Sequence, residues 1–376
     1  MAAQPRANTR KGSVPTNTPI LSRTPVLDNR PLGRRAVAYC AVVAGNMIAA
    51  AARDRKGGRG YVLVAFANLG DQLRMMNVWS RYASASDTYD VVCNEPTAEA
   101  FSLYAGVRYV REYAAQGAYS LMGSLRNAWT TEGQYARAFV PHPFFTRPIA
   151  LAYARTHAST VIAIAGRGAT VGTTVELDAS SWRATYEGIA AACHPNAIAA
   201  HAPRLAPGFA RARAGSRRVV VHVVSSEESR ALDAVADFAI VKGLLKLGLR
   251  VVVTGAAREE AKLRSILKDL DISFMCGAPL RKVTQLLCAS DLFLGVDSSV
   301  MHLADAVGLP CVIVYTSTRS DVAGPFYAPF VAIEPSHAYE PVGVRPEQSW
   351  RVSSSAAQHI SVEAVVEASQ RALGYS

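Results

Sequence analysis

One stretch, DLFLGVDSSVMHLADAVGLPCVIVY at residues 291–315, shows how the chain folds. It contains an apolar strand over 291–296, a helical pattern over 299–307 and a second apolar strand over 310–316. Short apolar runs rich in β-branched residues that alternate with helices are typical of parallel sheets buried on both faces. The stretch therefore predicts an α/β domain.

The turn inside this stretch is Asp297-Ser298-Ser299, directly after the strand. We expect its Ser and Asp oxygens to cap the following helix. The free N–H groups at that helix start would suit an anion such as a diphosphate. His302 follows in the first turn, where it can point at the same anion. On spacing alone, a capped structural helix with a packed histidine remains an alternative.

The same alternation extends in both directions along the chain, interrupted by a segment rich in Pro, Gly and Arg at 201–218. We expect strands at 61–67, 89–95, 107–113, 161–165, 218–224, 250–256 and 272–277. We expect helices at 71–83, about 227–247, 258–270 and 279–290. Two such halves joined by a linker predict two Rossmann-like, doubly wound domains that face each other across a cleft.

The predicted boundaries are an extension over 1–59, an N-terminal acceptor domain over 60–205 and a C-terminal donor domain over 206–376. We allow for the last helix crossing back to the N-terminal domain. Ligands in such folds bind beyond the carboxyl ends of the strands, so the turns after the strands are the places to search for a site.

The matching turn in the N-terminal half is ANLGDQL, residues 67–73. Gly70 would permit a tight turn, and Asp71 would cap the next helix at the mouth of the cleft. A carboxylate at this position can accept a proton from an attacking hydroxyl. A cap and nothing more is the alternative for Asp71.

Most of the net charge of +11 belongs to the N-terminal arm. Residues 1–60 hold eleven Lys and Arg against two Asp, whereas the other 316 residues carry 29 basic and 27 acidic side chains. We expect 1–35 to be disordered. For a membrane span, the apolar run 36–52 is short and rich in Ala. Three interpretations of it remain: an ordinary or surface-lying helix, a membrane anchor, and a targeting segment.

Several classes of function are disfavoured by the pattern of residues. The six cysteines contain no CxxC pair and the eight histidines show no HExxH spacing, so we expect no metal site. The glycines of GRGATVG, 166–172, precede no helix pattern, which argues against a dinucleotide cofactor. The basic arm has no aromatic residues interleaved with it, and we expect no specific nucleic-acid partner.

Three segments together resemble a known family. They are GVDSSVMHLADAVGLPCVIVY at 295–315, LRVVVTGAAREEAKLRSI at 249–266 and GYVLVAFANLGDQLRMMNVW at 60–79. In this order they are similar to the signature helix, the Gly-Ala turn and the N-terminal Gly-Asp turn of the ADP-heptose:lipopolysaccharide heptosyltransferases, glycosyltransferase family nine. The resemblance is good over 218–316 and fair over 60–113.

The resemblance implies a GT-B fold and an inverting, metal-independent transfer of heptose or another sugar from a nucleotide-diphosphate donor, an ADP-sugar, without a cofactor. The acceptor would be a hydroxyl on a glycan, lipid-linked sugar or protein. By position, Asp71 matches the general base and Glu259 matches the contact to the donor's nucleoside. The donor diphosphate would lie against Asp297, Ser298, Ser299 and His302.

Three departures from the family pattern concern the donor. Ser299 replaces the signature's glycine, and Thr316-Ser317-Thr318 replaces a Gly-Pro-Thr segment. The family's basic residue after the first strand of the donor domain has Arg230 as its nearest counterpart, one position off. A non-catalytic module of the same fold and a nucleotide-sugar epimerase therefore remain as alternatives. We expect a cytoplasmic protein, with peripheral membrane contact through the basic arm.

Overall fold

The computed structural model describes residues 60–83, 88–94, 97–113, 135–141, 154, 158–164, 173–175, 182–194, 196–211, 215–335 and 359–374. The extension over 1–59, with its apolar segment 36–52, lies outside these residues, so the expectations for both stay predictions. No helix in the described part of the chain is long and apolar enough to cross a membrane.

The N-terminal half forms one sheet of parallel strands in the order β3-β2-β1-β4-β5-β6. Its strands are β1 Tyr61–Ala65, β2 Tyr89–Asn94, β3 Val107–Tyr113, β4 Tyr135–Val140, β5 Ala158–Ile164 and β6 Thr173–Val175. The helices described in this half are α1 Leu69–Tyr82, α2 Ala98–Phe101 and α3 Trp182–Cys193.

The C-terminal half forms a second parallel sheet in the order β12-β11-β10-β7-β8-β9. Its strands are β7 Arg218–His222, β8 Arg250–Gly255, β9 Ser273–Cys276, β10 Leu292–Val296, β11 Cys311–Val314 and β12 Phe330–Ile333. Its helices are α4 Ala234–Lys246, α5 Glu260–Ile266, α6 Leu280–Cys288, α7 Ser299–Ala306, α8 Ser320–Ala323 and α9 Val362–Ala372.

The two sheets share one topology. In each, the first strand lies at the centre beside the fourth, which is the doubly wound order with a switch point between them. The prediction of two Rossmann-like parallel sheets is therefore confirmed. The last helix, α9, packs against α4 and β11 of the C-terminal sheet.

Some element boundaries differ from the sequence prediction. Instead of one helix from about residue 227, the chain makes a 3-10 turn over Glu228–Arg230 and starts α4 only after Asp233, whose carboxylate accepts a hydrogen bond from the Ala236 N–H (2.8 Å). The helix predicted over 258–270 consists of a 3-10 turn and the seven residues of α5. Helix α1 begins at Leu69, two residues earlier than expected.

The predicted linker is packed against both halves of the molecule. The Ala206 N–H donates to the Leu103 carbonyl of the N-terminal half (2.8 Å), and Phe209 is buried. Arg211 Nη1 donates to the Gly308 carbonyl of the C-terminal half (2.9 Å). These contacts tie the crossing segment to both domains.

Helix α1 lies between its own sheet and the C-terminal domain. Every residue from Gln72 to Arg81 is buried, including the arginines and Asn77, because both faces of the helix are covered. Its partner across the domain boundary is α7. The contact between α1 and α7 thus brings the carboxyl edges of the two sheets together.

A buried hydrogen-bond network holds this junction. Asn77 Nδ2 donates to the His302 carbonyl (2.9 Å) and to Asp305 Oδ2 (3.0 Å). Asp305 Oδ1 accepts from the N–H groups of Tyr327 (2.7 Å) and Ala328 (2.8 Å). The Tyr104 hydroxyl donates to Asn77 Oδ1 (2.5 Å), which fixes the orientation of the amide.

Replacing Asp305 by Asn tests whether this network stabilises the fold. The new amide N–H₂ would face the Asn77 N–H₂, and Asn77 could turn over only by losing its bond from Tyr104. A buried donor left without an acceptor costs about 1–3 kcal/mol, so we expect the free energy of unfolding to fall by that amount in urea titration.

The control is Asp233→Asn at the exposed start of α4, where asparagine caps a helix as well as aspartate does and the change should stay under about 0.5 kcal/mol. If Asp305→Asn were equally neutral, the junction would not depend on this carboxylate.

Candidate active site at the domain junction

The site lies at the carboxyl edge of the C-terminal sheet, beside its switch point. Strands β8, β7 and β10 are neighbours there, so the turns that follow them lie side by side. Gly295 in β10 allows the close approach: a Cβ at this position would lie 2.6 Å from the His222 carbonyl oxygen. The turn Asp297-Ser298-Ser299 follows directly.

The start of α7 is uncapped by side chains, contrary to expectation. Ser298 is the N-cap residue but makes no side-chain cap hydrogen bond, and its buried Oγ has no partner among the described residues. Asp297 Oδ2 instead accepts from the Thr318 hydroxyl (2.9 Å). The first N–H groups of α7, beginning at Ser299, are consequently left for another acceptor.

Arg230 lies beside this turn. Its Nη1 lies 3.4 Å from Asp297 Oδ2, and its side chain is 22% exposed. The 3-10 turn that carries it is held by the Thr316 hydroxyl, which donates to the Ser229 carbonyl (2.6 Å). Arg230, the nearest counterpart of the family's basic residue, therefore lies beside Asp297 although it is one position off in the sequence. The segment Thr316-Ser317-Thr318 contacts both the Arg230 turn and Asp297.

Asp71 reaches the site from the N-terminal domain. It lies in the first turn of α1, while Asn68 is the N-cap residue, so Asp71 is not the cap that the sequence predicted. Burial raises the pKa of Asp71 above its ordinary value; the charges of Arg74 and Arg230 oppose this, and the charge of Asp297 adds to it. Its carboxylate makes no hydrogen bond to a described residue.

Gly70 lies where the two domains touch. It is part of the first turn of α1 and has no positive φ, so it does not form the tight turn that we expected. A Cβ at Gly70 would lie 3.8 Å from the Ser299 Cα and 3.7 Å from the His302 ring. The first turns of α1 and α7 thus approach closely enough that an added Cβ at Gly70 would fill the space between them.

His302 is buried and pairs with Arg74 of α1. Its Nε2 lies 3.2 Å from Arg74 Nη2 and 3.4 Å from Arg74 Nε. Because a guanidinium only donates, the imidazole must accept through Nε2 and carry its proton on Nδ1. Burial, together with the charges of Arg74 and Arg230, holds the His302 pKa well below its ordinary value. The cation at this position is therefore Arg74, which the sequence analysis did not single out.

Glu259 lies one strand further along the same edge, after β8. Its Oε2 accepts a hydrogen bond from the Ala256 N–H (2.7 Å) and so closes its own turn. Its Oε1 lies 3.8 Å from Arg258 Nη2, and its side chain is 20% exposed. Part of this carboxylate remains accessible to a ligand.

Two further expectations concern cofactors and metals. After β5 the described chain continues with the strand β6 at Thr173–Val175, and the glycines at 166–172 lie outside the described residues. Within the described residues, no three His, Cys, Asp or Glu side chains are grouped so as to hold a metal ion. The expected absence of a cofactor stays a prediction.

Residues 186–340 match the family model of glycosyltransferase family 9 (heptosyltransferase). The resemblance to this family that the sequence indicated is thereby confirmed over these residues. A search of curated proteins finds no significant match to the chain.

Solved structures of low identity share the fold. A glycosyl transferase family 9 protein from Veillonella parvula superposes with a TM-score of 0.68 at 15% identity, covering 85% of this chain and 98% of that one. E. coli ADP-heptose lps heptosyltransferase II gives 0.63 at 17% identity, with 84% and 98% covered. E. coli heptosyltransferase WaaC with ADP gives 0.62 at 13% identity, with 83% and 99% covered. The GT-B prediction is thereby confirmed.

Because His302 is held neutral in the folded protein, we expect the stability of the fold to depend on pH. Because folding lowers its pKa from the ordinary 6.5, the unfolded chain binds more protons below that pH, and stability falls as the solution is acidified. His302→Gln keeps an acceptor for Arg74 but cannot titrate. We expect its melting temperature to fall less than that of the wild type between pH 7 and pH 5.

The control is His201→Gln, at a side chain exposed to solvent in the folded protein. It should lose as much melting temperature on acidification as the wild type. Equal losses for His302→Gln and the wild type would show that His302 is not held neutral.

Proposed function

We propose that this chain, whose residues 186–340 match the family model of glycosyltransferase family 9, transfers a sugar with inversion from a nucleotide-diphosphate donor to a hydroxyl acceptor. One observation carries the proposal. Asp71 of the N-terminal domain directly follows Gly70, and a Cβ at Gly70 would lie 3.8 Å from the Ser299 Cα at the uncapped start of α7. The proposed base and the proposed anion site would thus share one junction.

The donor's diphosphate would bind at the start of α7. Its oxygens would accept from the free N–H groups of the first turn and from the Ser298 hydroxyl, and Arg230 would supply positive charge. The buried Oγ atoms of Ser298 and Ser317 both lack partners among the described residues. A buried hydroxyl without a partner costs about 1–3 kcal/mol, which favours a ligand that completes these bonds.

The reaction would be a single displacement. Asp71 removes the proton of the acceptor hydroxyl as that oxygen bonds to the anomeric carbon. The bond from this carbon to the diphosphate breaks, and its electron pair leaves with the phosphate oxygen. Attack opposite the leaving group inverts the anomeric centre. The raised pKa of Asp71 makes it a stronger base than an exposed aspartate.

The negative charge that develops on the diphosphate would be stabilised by fixed groups of the protein, the helix N–H groups and Arg230. In this proposal these groups stabilise the charge of the leaving diphosphate, which in other phosphate chemistry is the role of a metal ion. The accessible oxygen of Glu259 would accept from a ribose hydroxyl of the nucleoside. We propose an ADP-sugar as donor, since two of the similar structures are named for ADP-heptose or contain ADP.

The acceptor we propose is a hydroxyl on a glycan, lipid-linked sugar or protein. We further propose that the protein is cytoplasmic and that its basic arm binds an anionic membrane surface. Transfer would require this acceptor. Donor conversion without an acceptor would identify an epimerase, and no conversion of any donor would identify a non-catalytic module.

Asp71→Asn tests the general base. The amide cannot take a proton, so we expect kcat to fall about 100- to 10,000-fold. The affinity for the nucleoside diphosphate, measured by calorimetry, should stay within a few-fold. In the wild type, kcat/KM should fall on acidification through the pKa of Asp71, which lies above 3.8.

The control is Asp269→Asn, at an exposed position with φ of 67° that asparagine readily adopts. It should transfer at the wild-type rate. Retained turnover in Asp71→Asn would remove Asp71 from the mechanism.

Glu259→Ala tests the nucleoside contact. Loss of a charged hydrogen-bond acceptor should weaken nucleoside diphosphate binding about tenfold, as measured by calorimetry. Glu259→Gln keeps an acceptor for the Ala256 N–H, so it separates the effect on the turn from the effect on the ligand. Glu260→Ala, at the next residue, is the matched control and should bind as the wild type does. Unchanged affinity in both Glu259 variants would contradict the proposed contact.

A further inference from the structure

Arg74 is a buried cation that forms no ion pair with a carboxylate of the described residues. It is 8% exposed, and its hydrogen bonds within the described residues go only to His302 Nε2. The ring of Trp182 lies 5.9 Å from its guanidinium carbon. A buried charge is costly unless an opposite charge or strong acceptors compensate for it. A neutral imidazole offers a single acceptor and no charge.

Arg81, two turns further along the same helix, shows how this fold compensates a buried arginine. Its Nη1 binds Glu187 (2.9 Å) and the Tyr327 hydroxyl (2.7 Å), and its Nε donates to the Ala200 carbonyl (2.6 Å). Arg81 is therefore paired as a structural arginine is expected to be. Arg74 differs from it in donating no hydrogen bond to a carboxylate of the described residues.

The position of Arg74 places this charge at the site. Arg74 is three residues after Asp71, so the two side chains lie on one face of α1. Through His302 it touches the first turn of α7, the helix whose first N–H groups are free. Its charge acts on the pKa of both Asp71 and His302. The guanidinium thus lies beside His302, on the face of α1 that carries Asp71.

The geometry of the pair leaves donors available. Arg74 contacts His302 through Nε and Nη2, so the two N–H groups of Nη1 have no partner among the described residues. Two N–H groups in a rigid plane match two oxygens of a phosphate. His302 would hold the plane in place while remaining uncharged itself.

We propose that Arg74 is a second cation for the donor's diphosphate, supplied by the N-terminal domain, and that His302 is its positioning residue. This inference rests on the proposed function and adds a contact from the opposite domain. When the bond between the anomeric carbon and the diphosphate breaks, the electron pair adds one negative charge to the leaving group. Arg74 and Arg230 then neutralise this charge from the two sides of the junction.

The test compares ligands that differ only in their phosphates. Affinities for ADP, AMP and adenosine are measured by calorimetry on the full chain, with GDP and UDP and their monophosphates and nucleosides in parallel. In the wild type, the diphosphate should bind more tightly than the monophosphate. Arg74→Met should lower the affinity for the diphosphate about 10- to 100-fold and leave the affinity for the nucleoside unchanged.

Two further variants separate a ligand contact from a structural role. Arg74→Lys keeps the charge and should retain part of the preference for the diphosphate. Arg183→Met is the matched control, because Arg183 also joins the domains, through a hydrogen bond from its Nη1 to the Phe326 carbonyl (2.8 Å). It should leave the ratio of diphosphate to nucleoside affinity at the wild-type value.

Two results would overturn the inference while the proposed function stands. The first is wild-type affinity for the diphosphate in Arg74→Met, with or without a raised KM for the acceptor. The second is a loss of affinity that is equal for the diphosphate and the nucleoside, in both Arg74→Met and Arg183→Met, which indicates a structural role. If the wild type binds none of the nucleoside diphosphates, the proposed function fails and the inference with it.

Discussion

The packing of α1 on α7 is the contact on which the rest of the site depends. Asn77 of α1 donates to the His302 carbonyl and to Asp305 of α7, and these bonds fix the two helices against each other. Because both helices begin at the carboxyl edge of a parallel sheet, fixing them brings Asp71 of one domain to the anion site of the other. Neither domain alone contains both groups.

This junction is polar and buried, and the balance of its charges follows from that. Burial keeps His302 neutral and raises the pKa of Asp71, while Arg74 and Arg230 keep their charges beside both. The result is a cluster of two arginines and two carboxylates, Asp71 and Asp297, beside the free N–H groups of α7. A diphosphate would supply acceptors to these N–H groups and to Arg74, so the burial that leaves the donors without partners favours an anion there.

The sequence predicts the parallel strands well and the polar contacts poorly. The apolar run of β10 identifies a buried strand from the local sequence alone. By contrast, β4, with Arg137 at its centre, and the short edge strand β12 show only a weak strand pattern. Asp297 was expected to cap α7, but its carboxylate binds Thr318, 21 residues later. The sequence did not predict the role of Arg74, because that role depends on a contact with a helix of the other domain, which no local pattern reveals.

The most direct test of this account is a crystal structure of the wild-type protein with a nucleoside diphosphate bound. We expect the phosphate oxygens about 3 Å from the first N–H groups of α7 and from the guanidinium groups of Arg74 and Arg230, with Asp71 facing the outer phosphate. A nucleotide bound away from the junction, or bound there with its phosphates turned from α7, would contradict the account.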